Sequence, residues 1–237
     1  MQKYIIITGG TKGIGRALVW RFAQAGFPVV TCARSADDLA SLQTALSQKV
    51  PGAVLHVLAA DLSKAAETRR FASFVQELGG AVEVLVHNTG AFTPGRLQDE
   101  PADGSALRAL IDVNLYSAYD LTLQLLPGMI ERKQGHIFTM CSVASIRAYP
   151  SGGSYSIAKF ALLGLTKALR EELKPHNLRV TAVLPGATLT ASWEGSGFPD
   201  ERFIKSEDVA EAVFAAYSLS PQAVVEELLI RPQLGDI

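Results

Sequence analysis

The chain has 237 residues, 48% of them hydrophobic and 19% charged, which is enough for one large core and too apolar for disorder. Its net charge of −1 gives no electrostatic case for binding nucleic acid or an anionic membrane surface. No apolar run approaches the roughly 18 residues of a membrane span.

The first apolar run, Lys3 to Thr8, reads as a strand buried on both faces, with no secretory leader ahead of it. The glycine-rich turn Gly9-Gly-Thr11-Lys12-Gly13-Ile14-Gly15 follows, then helical spacing from Arg16 to Ala25. Strand, glycine turn and helix together make a phosphate site. Glycines let backbone approach a pyrophosphate, and the helix N-terminus supplies free N–H groups and partial positive charge. A second strand spans Phe27 to Ala33 and ends at Arg34-Ser35, with Ser35 and Asp38 spaced as a helix cap. An acid at this strand end binds a ribose 2′-OH, whereas a cation accommodates a 2′-phosphate. Lys12 and Arg34 therefore point to NADP(H) over NAD(H), the alternative being two solvated surface cations.

The third strand, Val54 to Ala60, ends at Asp61-Leu62, and a helix is expected from about Lys64 to Leu78. The fourth, Val82 to His87, runs into Asn88-Thr89-Gly90. A long helix is expected from Ser105 to about Met129, with Asn114 inside it as a local kink or a side chain bonded back to the helix. Strand five, His136 to Cys141, leads to Ser142. A Gly/Ser/Pro loop and a helix from Ser154 to about Lys174 follow, with Tyr155 and Lys159 four positions apart on one face. A phenol titrates near pH 10, so proton transfer near pH 7 asks for a shift of roughly 3 units, about 4 kcal/mol. A neighbouring ammonium would act in that direction. Alone, the Tyr/Lys pair is a weak signal and reads better as two surface residues of an amphipathic helix.

Strand six, Arg179 to Leu184, ends at Pro185-Gly186, and the stretch from 187 to 205, with Trp193, reads as a mobile lid. A helix from Ser206 to about Leu219 and a seventh strand, Val224 to Ile230, complete the chain. Alternating strands and helices of these lengths give a single α/β domain over 1–237. It is Rossmann-like and doubly wound, with a seven-stranded parallel sheet and helices on both faces. In such sheets ligands bind beyond the carboxyl ends of the strands, where the glycine turn, Arg34, Asp61, Asn88 and Ser142 all fall. Cys32 and Cys141 sit in strand-like runs and read as buried thiols of a reducing, cytoplasmic compartment.

Taken together, Thr8-Gly-x-x-x-Gly13-Ile-Gly15, Asp61-Leu62, Asn88-x-Gly90, Asn114, Ser142, Tyr155-x-x-x-Lys159 and Pro185-Gly186-x-x-x-Thr190 resemble the short-chain dehydrogenase/reductase family across the whole chain. The resemblance implies that Tyr155 is the acid in reduction and Lys159 lowers its pKa and holds the nicotinamide ribose. It implies that Ser142 orients the substrate carbonyl and Asn114 keeps a water connected to Lys159. Gly9, Thr11, Lys12, Gly13, Ile14 and Gly15 would cradle the phosphates, with Asp61 and Leu62 flanking the adenine. Asn88 and Gly90 would lie by the ribose, and Pro185, Gly186, Thr188 and Thr190 by the nicotinamide. Ser142, Tyr155 and Trp193 would touch a small carbonyl or alcohol substrate, with no metal required.

His87 replaces the family's usual asparagine and is expected to pack at the strand end. The ending from Val225 to Ile237, and Trp193, resemble bacterial sepiapterin reductase-like enzymes. The alternatives are a 3-oxoacyl-acyl-carrier-protein reductase, for which Arg132, Lys133 and Arg170 would supply a basic patch, and a non-catalytic nucleotide sensor on the same fold. Apolar residues expected on a second face of the two long helices (Leu121, Leu125, Leu162, Leu163, Leu165) point to a homodimer or homotetramer.

Overall fold

The computed structural model describes residues 1–190, 193, 195 and 197–237. Seven strands, β1 (Lys3–Thr8), β2 (Val29–Ala33), β3 (Leu55–Ala59), β4 (Ala81–His87), β5 (His136–Met140), β6 (Arg179–Pro185) and β7 (Glu227–Ile230), form one parallel sheet. Their order is β3-β2-β1-β4-β5-β6-β7. The helices are α1 (Gly13–Gln24), α2 (Ala36–Lys49), α3 (Ala65–Glu77), α4 (Ser105–Ile111), α5 (Ser117–Arg132), α6 (Gly153–Leu173) and α7 (Ser206–Tyr217).

Strand β1 shows why the sheet is covered on both sides. Its side chains alternate between faces, and Ile5, Ile6 and Ile7 are all fully buried. Ile5 and Ile7 belong to one core with Leu18 and Phe22 of α1 and Val209 and Val213 of α7. Tyr4 and Ile6 belong to the other, with Phe71 and Val75 of α3 and Leu121, Leu125 and Met129 of α5. Each such side chain contributes roughly 1.5–3 kcal/mol on burial. The strand order reverses between β1 and β4, which opens a crevice beyond their carboxyl ends.

Two expectations change. The helix read as continuous from Ser105 is divided by a π-helical turn, Asp112–Tyr116, with Asn114 at its centre. In addition, Leu121, Leu125, Leu162 and Leu163 are buried within this chain, and Leu165 packs partly against its core. Helix α5 packs on β4 and against α3, and α6 packs on β5 and β6 and against α4, so a wide arc of each is covered. The large apolar side chains left exposed here are Tyr116 of the π-helical turn, Tyr119 and Leu123 of α5, and Ile157 and Phe160 of α6.

The segment read as a lid is tied at both ends. Thr188 bridges to Ile204, Leu189 N–H donates to the Ile204 carbonyl at 2.8 Å, and Ile204 N–H donates to that of Ala187 at 2.9 Å. Ala191, Ser192, Glu194 and Ser196 of that segment lie outside the described residues. Cys32 and Cys141 are both buried and free. Among the described residues, no helix is long and apolar enough to cross a membrane.

Candidate active site

A cleft of about 1360 Å³ runs along the carboxyl ends of the strands. At one end the turn after β1 enters α1, whose start carries no side-chain cap and no acidic residue in its first turn. Its N–H groups are therefore free for an anion. The turn is held from β4: Asn88 Nδ2 donates to the carbonyls of Thr8 at 2.9 Å and Gly9 at 3.1 Å. The N–H groups of Asn88 and Thr89 both donate to Thr8 Oγ1 at 2.9 Å. Gly15 must lack a side chain here, because a Cβ would meet the Gly9 carbonyl oxygen at 2.2 Å and Asn88 Nδ2 at 2.4 Å. The chain approaches itself and any phosphate at backbone distance.

Farther along, Arg34, Asp61 and Leu62 line the cleft. Burial pushes the Asp61 carboxyl upward. Two bonds from Ser63, with the Lys64 and Arg34 cations nearby, outweigh this and hold it below the usual carboxylate range. Lys12 is not a free cation: its Nζ lies 3.2 Å from Asp38 Oδ2. Asp38 is held in the first turn of α2 by the Ser35 cap, its N–H donating to Ser35 Oγ at 3.1 Å.

The other wall carries Ser142, Tyr155, Lys159 and Asn114. Ser142 opens a short 3-10 turn after β5. Its Oγ accepts from Ala144 N–H at 3.1 Å, and Ser145 Oγ accepts from Ser142 N–H at 3.2 Å. That capping box fixes the Ser142 rotamer and leaves its hydroxyl hydrogen to point elsewhere. Both amide hydrogens of Asn114 and one lone pair of its Oδ1 are engaged. Nδ2 donates to Ala91 and Leu110 carbonyls at 3.0 Å each, and Oδ1 accepts from Ala91 N–H at 3.3 Å. The π-helical turn and the back-bond to Leu110, four residues earlier, occur together. At Gly90, a Cβ would sit 2.8 Å from Asn114 Oδ1 and 3.4 Å from Lys159 Nζ, so Gly90 keeps open a notch that these two residues share.

The electrostatics differ from expectation at Tyr155. Burial pushes its phenol above the ordinary value, and a hydrogen bond with Ser142 opposes the rise without cancelling it. Lys159 does not lower it. Its Nζ donates instead to the Met140 carbonyl at 2.8 Å and lies 5.7 Å from the Tyr155 ring centre. The same burial brings the Lys159 ammonium down to about 8. In a low-dielectric wall, desolvation penalises the charged form of each, which raises a phenol and lowers an ammonium.

This constellation accompanies a family-level match. Residues 3–197 match the model of the short chain dehydrogenases. The chain belongs to this family. It is 34% identical to the sepiapterin reductase of Chlorobaculum tepidum over 248 residues, covering 100% of this chain and 99% of that protein. An alcohol dehydrogenase from the archaeon Thermococcus sibiricus, solved with 5-hydroxy-NADP, superposes with a TM-score of 0.88 at 30% identity, covering 98% of this chain and 97% of that one. A metagenomic short-chain oxidoreductase in complex with NADP gives 0.84 at 29% identity with the same coverage.

In this short chain dehydrogenase, almost every residue singled out from sequence lines the one cleft. Gly9, Thr11, Gly13, Ile14, Pro185, Gly186, Thr188, Thr190 and Trp193 are there with those described above. Thr188 Oγ1 donates to the Gly186 carbonyl at 3.0 Å, and Trp193 packs on Phe203 with ring centres 5.3 Å apart. His87 lies outside the cleft, buried with Nε2 2.8 Å from Thr122 Oγ1, and burial brings its pKa down to about 3.

Sequence reasoning missed several residues. Phe92 meets the Tyr155 ring edge-on, with centres 4.9 Å apart. Tyr149 and the terminal residues Arg231, Asp236 and Ile237 also line the cleft. Phe92, two positions after Gly90, was the one with a signal, being an aromatic residue in a loop leaving a site strand.

Proposed function

We propose that this chain is an NADPH-dependent carbonyl reductase acting on a sepiapterin-type substrate, a carbonyl carried on a flat heterocycle. The observation that carries the reading is the convergence of Ser142, Tyr155, Lys159 and Asn114 on one wall of a cleft whose far end is the uncapped start of α1.

The residues present fit a dinucleotide. The Gly15 cradle, the free N–H groups of α1 and the length of the cleft suit a pyrophosphate between two nucleosides. NADPH supplies the hydride when bound. Tyr155 then gives its hydroxyl proton to the carbonyl oxygen, a role suited to a phenol that burial keeps protonated. The Ser142 hydroxyl, held by its capping box, donates to the same oxygen and stabilises the charge that develops there. Lys159 holds the nicotinamide ribose and restores the Tyr155 proton. Asn114 shares the Gly90 notch with Lys159 Nζ and is placed to keep a water against it. Relatives solved with NADP or 5-hydroxy-NADP support the cofactor.

For the substrate, support comes from the end-to-end relation to a sepiapterin reductase and from Phe92, Tyr149 and Trp193, aromatic surfaces against which a flat ring can lie. The acyl-carrier alternative has no such support. Arg132, Lys133 and Arg170 fall towards the C-terminal ends of α5 and α6. In a parallel α/β unit those ends lie at the amino ends of the strands, on the side opposite the cleft. Arg170 is moreover paired with Glu226 at 3.1 Å. A sensor would not need all four catalytic-type side chains. The buried free thiols suit a cytoplasmic enzyme.

The test is NADPH consumption with sepiapterin, simple ketones and an acetoacetyl thioester, in wild type and Tyr155→Phe. Turnover of sepiapterin that is lost in Tyr155→Phe, with NADPH binding nearly intact, is expected. Wild-type-like turnover in that variant would sink the assignment of Tyr155, and preference for the thioester would sink that of the substrate.

A further inference from the structure

The first turn of α6 carries Tyr155, and it is held from outside its own helix. The segment from Phe92 to Glu100, after β4, touches it at three points. Gly95 N–H donates to the Ser151 carbonyl at 2.9 Å. The Glu100 carboxylate accepts from Ser154 N–H at 3.0 Å and from Ser154 Oγ at 2.5 Å, 54 positions apart in sequence. Phe92 lies edge-on to Tyr155. Gly153 between them has φ +30°, and a Cβ there would sit 2.6 Å from the Gly95 carbonyl oxygen and 2.7 Å from Glu100 Oε1. A side chain would push the segment off the helix.

A helix start has unsatisfied N–H groups, and Gly152 at the cap position of α6 offers no side chain for them. Glu100 takes that place and puts a negative charge where the helix dipole favours one. The Ser154 bonds hold its carboxyl below the usual range, so it stays ionised near neutral pH. Ser154 is buried beside Tyr155, and the backbone that Glu100 grips is one peptide from the reacting phenol.

We propose that Glu100 is a positioning residue for Tyr155: by gripping Ser154 it sets where the first turn of α6 sits, and so the distance from the Tyr155 hydroxyl to Ser142 and the substrate carbonyl. This rests on the reading of Tyr155 as the proton donor. A displacement of about 1 Å at a reacting group costs on the order of 100-fold in rate.

The experiment compares wild type, Glu100→Ala, Glu100→Gln and Tyr155→Phe. It measures kcat and KM for the carbonyl, NADPH affinity by fluorescence, Tm, and the deuterium isotope effect with NADPH labelled at the transferred hydrogen. Glu100→Ala is expected to lower kcat about 10- to 100-fold. KM and NADPH affinity should stay within about threefold, and the isotope effect should rise as hydride and proton transfer become rate-limiting. Glu100→Gln keeps an acceptor for Ser154 N–H and gains a donor for Ser154 Oγ, so it should restore kcat to within about threefold of wild type.

A kcat in Glu100→Ala within threefold of wild type overturns the proposal. So does a fall with an unchanged isotope effect and a matching loss of NADPH-binding sites, which is partial unfolding. If Glu100→Ala does not fold, Glu100→Asp, which withdraws the carboxylate by one methylene, is read by the same two outcomes. Full turnover in Tyr155→Phe would overturn the reading of Tyr155 and this inference with it. Loss there together with wild-type rates in Glu100→Ala overturns this inference alone.

Discussion

Lys159 donates from Nζ to the Met140 carbonyl at 2.8 Å, a bond that ties α6 to the end of β5 with Nζ 5.7 Å from the Tyr155 ring centre. With Lys159 brought down to about 8 by burial and Tyr155 pushed above its ordinary value, the two titrate in opposite directions from their usual order. Lys159 is charged below about pH 8 and neutral above it, while Tyr155 stays protonated through that range.

The alkaline limb of the reductive rate should therefore belong to Lys159. In kcat/KM for the carbonyl, which reports the enzyme before that substrate binds, activity should hold up to about pH 8 and then fall as the ammonium is lost. The check is a pH profile of kcat/KM with saturating NADPH. A profile flat to pH 10 would show that the charge on Lys159 is not needed.

The same burial has a cost in stability. A lysine whose folded pKa lies below its unfolded value binds fewer protons folded than unfolded. That penalty is complete below pH 8 and relieved as pH rises towards the unfolded value. Lys159→Met, which keeps most of the volume, should therefore raise Tm at pH 7 while abolishing turnover. Each kcal/mol recovered is about 2–4 °C for a chain of this size. A lower Tm at pH 7, with the gap unaltered at pH 10, would show that the Met140 bond outweighs the desolvation.

The strands and the glycine turn were legible because their signals are local: Tyr4 to Thr8 is continuously apolar and β-branched, and the glycines follow at once. The four catalytic-type residues were legible as a set because each lies at a strand end or on a helix beside one. At Asn114 the sequence showed a kink or back-bond but not its π-helical form, since one extra residue in a helical repeat hardly disturbs the apolar spacing of Leu110, Ile111 and Leu115. Glu100 was not legible, because its partner Ser154 lies 54 positions away and no local pattern joins the two. The direction of the Tyr155 shift was misread for a different reason: sequence shows a nearby cation but not how deeply both groups are buried.

Assembly can be tested on the face that the fold leaves open. Tyr119 and Leu123 of α5 and Ile157 and Phe160 of α6 are 42%, 50%, 41% and 46% exposed. Such residues on two long helices are expected to be covered in a homodimer or homotetramer. Phe160→Asp combined with Leu123→Asp should shift the protein to monomer by light scattering at micromolar concentration, with the chain still folded by circular dichroism. A wild type that is already monomeric would remove the basis for the expectation.

Of the carboxylates at the cofactor end, Asp38 bears on the choice between NADPH and NADH through its pairing with Lys12. Lys12 and Arg34 line the cleft where the 2′-phosphate of NADP is expected, and Asp38 holds Lys12 at 3.2 Å. A 2′-phosphate must share or displace that ammonium. Charge-assisted bonds to phosphate contribute roughly 1.5–3 kcal/mol each, so Arg34→Ala should weaken NADPH binding about tenfold to a hundredfold and barely change NADH binding. Asp38→Asn should act the other way. Two unit charges about 4 Å apart in water interact by about 1 kcal/mol, so losing the carboxylate should tighten NADPH binding about fivefold, again with NADH unchanged. If the effect runs through Lys12, it should shrink to nothing in a Lys12→Ala background. The measurement is the Kd of both cofactors by fluorescence titration in the four variants, at one ionic strength because the pair is exposed. An Asp38→Asn enzyme with weaker NADPH binding would mean that the carboxylate orients Lys12 for the phosphate instead of competing with it. An Arg34→Ala enzyme with an unmoved NADPH/NADH ratio would mean that the 2′-phosphate is held elsewhere.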